Sequence, residues 1–138
     1  MKRFPRLSRL SRGLLAGTAV LAALASAAPA RAGSNDAAML ALASHSGCMT
    51  CHHIDPGGKG PDGLPPVGPA WRDVSDKYAG QRGAEDRLTA TVLGGSNPYL
   101  SHWKGQASGL AMPPNQVAIS EADARRLVKW ILALGPTK

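Results

Sequence analysis

The densest group of side chains able to do chemistry is Cys48-Met49-Thr50-Cys51-His52: two cysteines three residues apart, with a histidine directly after the second. Thiols at i and i+3 share one face of a helical turn. Each can therefore form a thioether with one vinyl group of the same haem, while the imidazole that follows turns to the iron as proximal ligand. Cys-x-x-Cys-His is the attachment pattern for c-type haem. Three rival readings are weaker. A thioredoxin-like redox pair calls for a flanking strand and a βαβ pattern, and neither is found. A zinc site needs a second ligand pair at knuckle spacing, and the chain has only these two cysteines. A disulfide between positions this close closes too small a loop to compensate for a weak core.

The sixth ligand decides what such a haem does. Of the four methionines, Met1 lies at the N-terminus, Met39 lies upstream on a first helix and Met49 sits inside the motif. Met112 stands in Leu110-Ala111-Met112-Pro113-Pro114-Asn115, where two prolines stiffen the backbone just after the thioether. Methionine more often fills gaps in a core, but downstream of an attachment motif a stiffened loop suits a fixed axial ligand. His45 approaches the same helix as the cysteines, and His53 directly follows the proximal ligand, so both read as surface residues. His102 is far enough along the chain to be the competitor. A gas-binding haem protein would need an open sixth position, which the stiff Met112 loop argues against.

The elements that must position these residues read as helices. Ser34 or Asn35 can cap a first helix running to about Ser46. From Ile54 to Ala70 the chain holds five Gly and five Pro, so this stretch is a loop. The segment Ala70 to Tyr78 puts Trp71, Val74 and Tyr78 on one side, and Ala84 to Leu93 ends at Gly94-Gly95. Ser120-x-x-Asp123, a capping-box variant, opens a last helix whose Ala124, Leu127, Val128, Ile131 and Leu132 form an apolar stripe ended by Gly135-Pro136. No segment has strand periodicity, and there is no internal repeat. The fold class is all-α, with four to five short helices.

The whole chain has 16 Lys+Arg against 9 Asp+Glu, a net +7, which on its own would suggest a nucleic-acid or membrane binder. The charge is concentrated at the N-terminus. Lys2, Arg3, Arg6, Arg9 and Arg12 precede an uncharged Leu/Ala-rich stretch from Leu14 to Ala28, and Ala30-Arg31-Ala32 is a small-x-small cleavage site. Residues 1–32 therefore read as a signal peptide and 33–138 as one domain, exported to the periplasm. An uncleaved leader would be a membrane anchor, since Gly13 to Ala30 is at the short limit for a span. Beyond Ala32, ten basic residues face nine acidic ones, and nucleic acid is no longer a favoured partner.

The 106 residues after the leader contain only 18 Leu, Ile, Val and Phe. That is thin for an independent core, and one buried apolar cofactor would complete it.

Taken in order, the haem motif, Val67-Gly68-Pro69-Ala70, Tyr78-Ala79-Gly80-Gln81, Gly83-Ala84-Glu85, Gly95-Ser96, Met112-Pro113-Pro114-Asn115 and Val128-Lys129-Trp130-Ile131-Leu132 resemble a short bacterial class I cytochrome c of the five-fifty-one type, from Leu40 to Leu134. The resemblance implies an all-helical periplasmic electron carrier with one covalent haem c, no enzymatic activity, monomeric, and meeting larger periplasmic redox proteins such as a reductase, oxidase or dehydrogenase. It implies that the Pro69 carbonyl accepts the proton of the other His52 nitrogen, which would orient the ring and raise its basicity. It further implies that Asn115 bonds near the Met112 sulfur and that Trp103 faces a haem propionate. Four departures stand out: longer segments at Pro56–Pro66 and Ser96–Met112, Thr91 where relatives often carry a propionate-binding arginine, and Ala43 where an aromatic often packs on the last helix. The longer segments also suit a haem subunit permanently docked on a dehydrogenase, for example one oxidising a sulfur compound. For a free carrier, Leu64, Pro65, Pro66 and Leu110 are expected to form the docking patch, with Lys59 and Lys104 balanced by Asp55 and Asp62.

Overall fold

A computed structural model describes residues 32–135. Of the segment expected to be a signal peptide, residues 1–31 lie outside the described residues. Four α-helices follow in order: α1 (Ala32–His45), α2 (Trp71–Tyr78), α3 (Ala84–Gly94) and α4 (Glu121–Leu132). Single 3-10 turns occupy Cys48–Thr50, Pro61–Gly63 and Pro98–Leu100. Among the described residues there is no strand, only an isolated bridge between Lys104 and Ala107. No described helix is long and apolar enough to cross a membrane.

The fourth helix organises the rest. Ser120 caps it, accepting from the Asp123 amide at 3.1 Å. The reciprocal half of the box differs from expectation, because the Asp123 carboxylate takes the Ser120 hydroxyl at 2.9 Å. Its stripe of Ala124, Leu127, Val128 and Ile131 is buried, as is Trp130, and α1, α2 and α3 all pack against it. Trp71 of α2 meets Trp130 edge-on, with ring centroids 5.7 Å apart, a favoured aromatic geometry. Its last carbonyls, which no longer have intrahelical partners, are met by α2: Ser75 Oγ donates to Leu132 O at 2.9 Å and Arg72 to Leu134 O at 2.6 Å.

Three boundaries or contacts differ from the sequence reading. The first helix begins at Ala32, so Ser34 and Asn35 lie inside its first turn; the alanines around them favour extension over capping. Gly94 stays helical, and Gly95, at φ 83°, ends α3. Ala43, which stands where the resemblance puts an aromatic and so would leave a looser contact with Trp130, is fully buried in the same cluster as that tryptophan. Trp130 Nε1 donates to Asp36 Oδ1 at 2.8 Å and ties α4 to α1.

Candidate haem site

The Cys48–Thr50 turn brings Cys51 N within 3.3 Å and His52 N within 3.1 Å of the Cys48 carbonyl. The two thiols are not bonded to each other. Burial pushes the Cys48 thiol up, which favours its protonated form. The next residues are laid against the segment before α2: Gly68 N donates to Cys51 O at 2.8 Å, Trp71 N to His53 O at 2.9 Å and Arg72 N to Ile54 O at 3.0 Å.

This pairing delivers the Pro69 carbonyl to His52. The distance from His52 Nδ1 to Pro69 O is 2.8 Å, and a carbonyl can only accept, so Nδ1 carries the proton and Nε2 keeps its lone pair. Burial lowers the His52 pKa; the Pro69 bond partly opposes that and nearby His53 adds to it. The imidazole is thus held neutral, the form that binds a metal. Its ring stacks on Trp71, centroids 6.0 Å apart. The backbone also presses close to the ring: a Cβ at Gly68 would lie 2.7 Å from His52 Cε1, so only glycine fits there.

Met112 is fastened to the end of α3. Its amide donates to Ser96 Oγ at 2.8 Å, and Ser96 N donates back to Met112 O at 2.9 Å. Gly95 lets the two strands of chain approach, since a Cβ there would stand 3.0 Å from Met112 O. Asn115 corrects an expectation. Its Nδ2 hydrogens go to Pro113 O at 2.7 Å and Val92 O at 3.3 Å, not to the thioether. Two carbonyls outbid a weak sulfur acceptor, so Asn115 braces the loop from behind.

Cys48, Cys51, His52 and Met112 all border one cavity of about 400 Å³, a size usual for cofactor sites. Its floor includes Leu88, Val92, Leu127, Val128 and Ile131. Trp103, half-buried, also lines it, and the Lys77 ammonium lies 4.6 Å over its ring. His102 is exposed, with Nδ1 bonded to Tyr78 Oη at 2.9 Å, and it lines the same cavity. These donors fit a haem: two thiols on one turn, a neutral imidazole with one lone pair, a held thioether and an apolar slot.

The cavity's exposed margin is apolar: Val67, Leu100 and Leu110 are 40%, 72% and 84% exposed. Of the expected docking patch, only Leu110 borders this cavity. Leu64, Pro65 and Pro66 line a second one with His53, because the longer loop folds back over that histidine. Asp55 pairs with Arg72 at 2.7 Å and not with a lysine, and Lys104 donates to Tyr99 O at 3.2 Å. The Trp71 stack, the Ser96 clasp and the Tyr78–His102 bond escaped the sequence reading. Only Ser96 had a local signal, its place beside Gly95.

The model of the cytochrome c family matches residues 37–135. The chain is 41% identical over 95 residues to cytochrome c-551 of Allochromatium vinosum, covering 69% of this chain and 84% of that one. It is 38% identical over 92 residues to cytochrome c-551 of Pseudomonas aeruginosa, covering 67% and 72%. Among solved structures, wild-type Nitrosomonas europaea cytochrome c552 superposes with a TM-score of 0.54 at 35% identity, covering 69% of this chain and 98% of that one. An all-α shell around a covalent haem site defines a class I c-type cytochrome. The chain belongs to the cytochrome c family. It carries one covalently bound haem c and works as an electron carrier, not as an enzyme.

Proposed function

We propose that residues 1–32 are a cleaved signal peptide and that residues 33–138 form a monomeric periplasmic carrier. In it, Cys48 and Cys51 hold the haem covalently, His52 and Met112 are its axial ligands, and Pro69, Trp103 and Asn115 shape the surroundings. The carrying observation is that a neutral imidazole oriented by Pro69 and a thioether clasped by Ser96 border one apolar cavity. When bound, the haem supplies a one-electron couple between ferric and ferrous iron. The Pro69 carbonyl keeps the His52 ring in one orientation and one tautomer. Ser96 and the two prolines limit the travel of the Met112 sulfur, so the same donors serve both oxidation states.

Met112→Ala tests the ligation. The weak sulfur-to-iron band of the oxidised protein disappears and the reduction potential falls, because a thioether favours ferrous iron. A band and potential that persist hand the sixth position to His102 or another group. Protein recovered from the periplasm should begin at Gly33 and elute as a monomer.

The apolar margin of Val67, Leu100 and Leu110 supports docking of the haem edge on a periplasmic reductase, oxidase or dehydrogenase. Weak electron-transfer encounters bury less than about 1,200 Å², which a few such residues can supply. With ten basic and nine acidic residues after the leader, no strong monopole steers the encounter. The second-order rate with the partner is expected to change only modestly between low and physiological salt. A steep fall would give recognition to the lysines.

A further inference from the structure

Besides the Ser96 clasp, the arm that carries Met112 has a second attachment. Ser108 N donates to Pro66 O at 2.9 Å and Gly109 N to Val67 O at 3.0 Å, so successive amides of one arm meet successive carbonyls of the other. Ser108 Oγ adds a longer bond to the same Pro66 carbonyl, at 3.4 Å. The two longer segments, Pro56–Pro66 and Ser96–Met112, are thereby joined to each other near their ends. Met112 stands three residues beyond Gly109, and Pro69, whose carbonyl meets His52 Nδ1, stands two beyond Val67. Both arms line the haem cavity: Val67, Gly68 and Pro69 on one, Gly109, Leu110 and Ala111 on the other. Their approach leaves no room for a side chain at the junction. A Cβ at Gly109 would lie 2.5 Å from Val67 O and 3.3 Å from Val67 Cγ1, so glycine is what lets the two backbones meet. Proline pairs stiffen both arms, Pro65-Pro66 at the first acceptor and Pro113-Pro114 just past Met112. The chain leading into the junction turns at Gly105, φ 78°, and Ser108 is exposed, so water can compete for its amide. Stiff arms joined by two short bonds, one of them within reach of water, have the make-up of a latch.

We propose that the bonds from Ser108 and Gly109 to Pro66 and Val67 latch the sixth ligand in place, with Gly109 as the positioning residue, and that an outside donor replaces the Met112 sulfur only when this latch opens. The inference rests on the haem and Met112 reading above. Ser96 ties Met112 to the end of α3. The latch ties the same arm to the segment that orients His52, and so couples the two axial positions through the backbone. Closed, it holds the arm at a second point and keeps the thioether from swinging away. Open, it leaves the arm hanging from Ser96 and free to lift. In the exchange that follows, the thioether leaves, the lone pair of the added donor takes its place, and no electron or proton is transferred.

The test uses the ferric holo-protein and imidazole, a small nitrogen donor whose binding is read as loss of the sulfur-to-iron band. Gly109→Val forces the arms apart and is expected to raise the affinity for imidazole about tenfold, the effect of losing one or two backbone hydrogen bonds from the closed state. An affinity equal to the native one overturns the proposal. A second measurement needs no variant and is free of any folding defect. In the native protein, amide exchange at Gly109 is expected to quicken as imidazole saturates the iron, while exchange at Leu127 of α4 stays slow. A Gly109 amide as well protected in the imidazole complex as without it would show that the sulfur leaves with the latch shut, and the proposal falls. The native spectrum separates the two readings. If it lacks the sulfur-to-iron band, the Met112 assignment fails and the latch with it; if the band is present and imidazole binds Gly109→Val no more tightly, the latch fails alone.

Discussion

Ser96 shows how a single side chain can govern a redox site without touching the metal. Its hydroxyl accepts the Met112 amide at 2.8 Å, and its own amide donates to Met112 O at 2.9 Å. Ser96→Ala keeps the second bond and orphans a half-buried N–H, a loss of about 1–3 kcal/mol. Because the residue clasps the Met112 loop, proposed to carry the axial ligand, that loss should appear as local opening first. On heating, the sulfur-to-iron band of the variant is expected to vanish at a lower temperature than the helical signal. If the two still vanish together at the native temperature, the prolines alone hold the loop.

At the scale of elements, α4 is the shared wall, and its ends decide whether the shell closes. Arg125 reaches across to Glu85 and Asp86 of α3 and is also within 3.8 Å of Glu121. These are exposed pairs worth little individually. The Ser120 cap matters more, because it satisfies an amide of the first turn and starts the helix at the register that buries Leu127 and Ile131. Ser120→Ala is expected to destabilise the holo-protein by about 1 kcal/mol, lowering its melting temperature by roughly 4–8 °C for a domain of this size. An unchanged midpoint would mean that packing alone fixes the start of α4.

For the whole molecule the balance turns on the cofactor. The slot of about 400 Å³ is open along its exposed margin and lined by Leu88, Val92, Leu127, Val128 and Ile131, apolar surface that is left facing water when no haem covers it. With only 18 large aliphatic residues beyond Ala32, the chain has nothing with which to refill the space. A Cys48→Ala, Cys51→Ala variant made without haem is expected to show little helical circular dichroism. Native helix content in that variant would mean that the shell folds without its centre.

The haem motif, Met112 with its prolines, the number of helices and the Ser120 cap were all legible in the sequence, because each is a local relation. Thiols at i and i+3, a stiffened turn and a capping serine act within a few residues, so spacing alone carries them. Tertiary structure decided the rest. The Pro69 carbonyl, read through resemblance, reaches His52 only because the chain from Cys51 to Ile54 lies along Gly68 to Arg72. The Trp71 stack, the Asn115 brace and the Tyr78–His102 bond join residues 19 to 24 positions apart, and Trp130 meets Asp36 across 94. No periodicity encodes such pairs. They exist because a chain poor in aliphatic residues must close around one large apolar ring. That closure chooses Val67, Leu100 and Leu110 for the margin and turns Leu64, Pro65 and Pro66 toward His53.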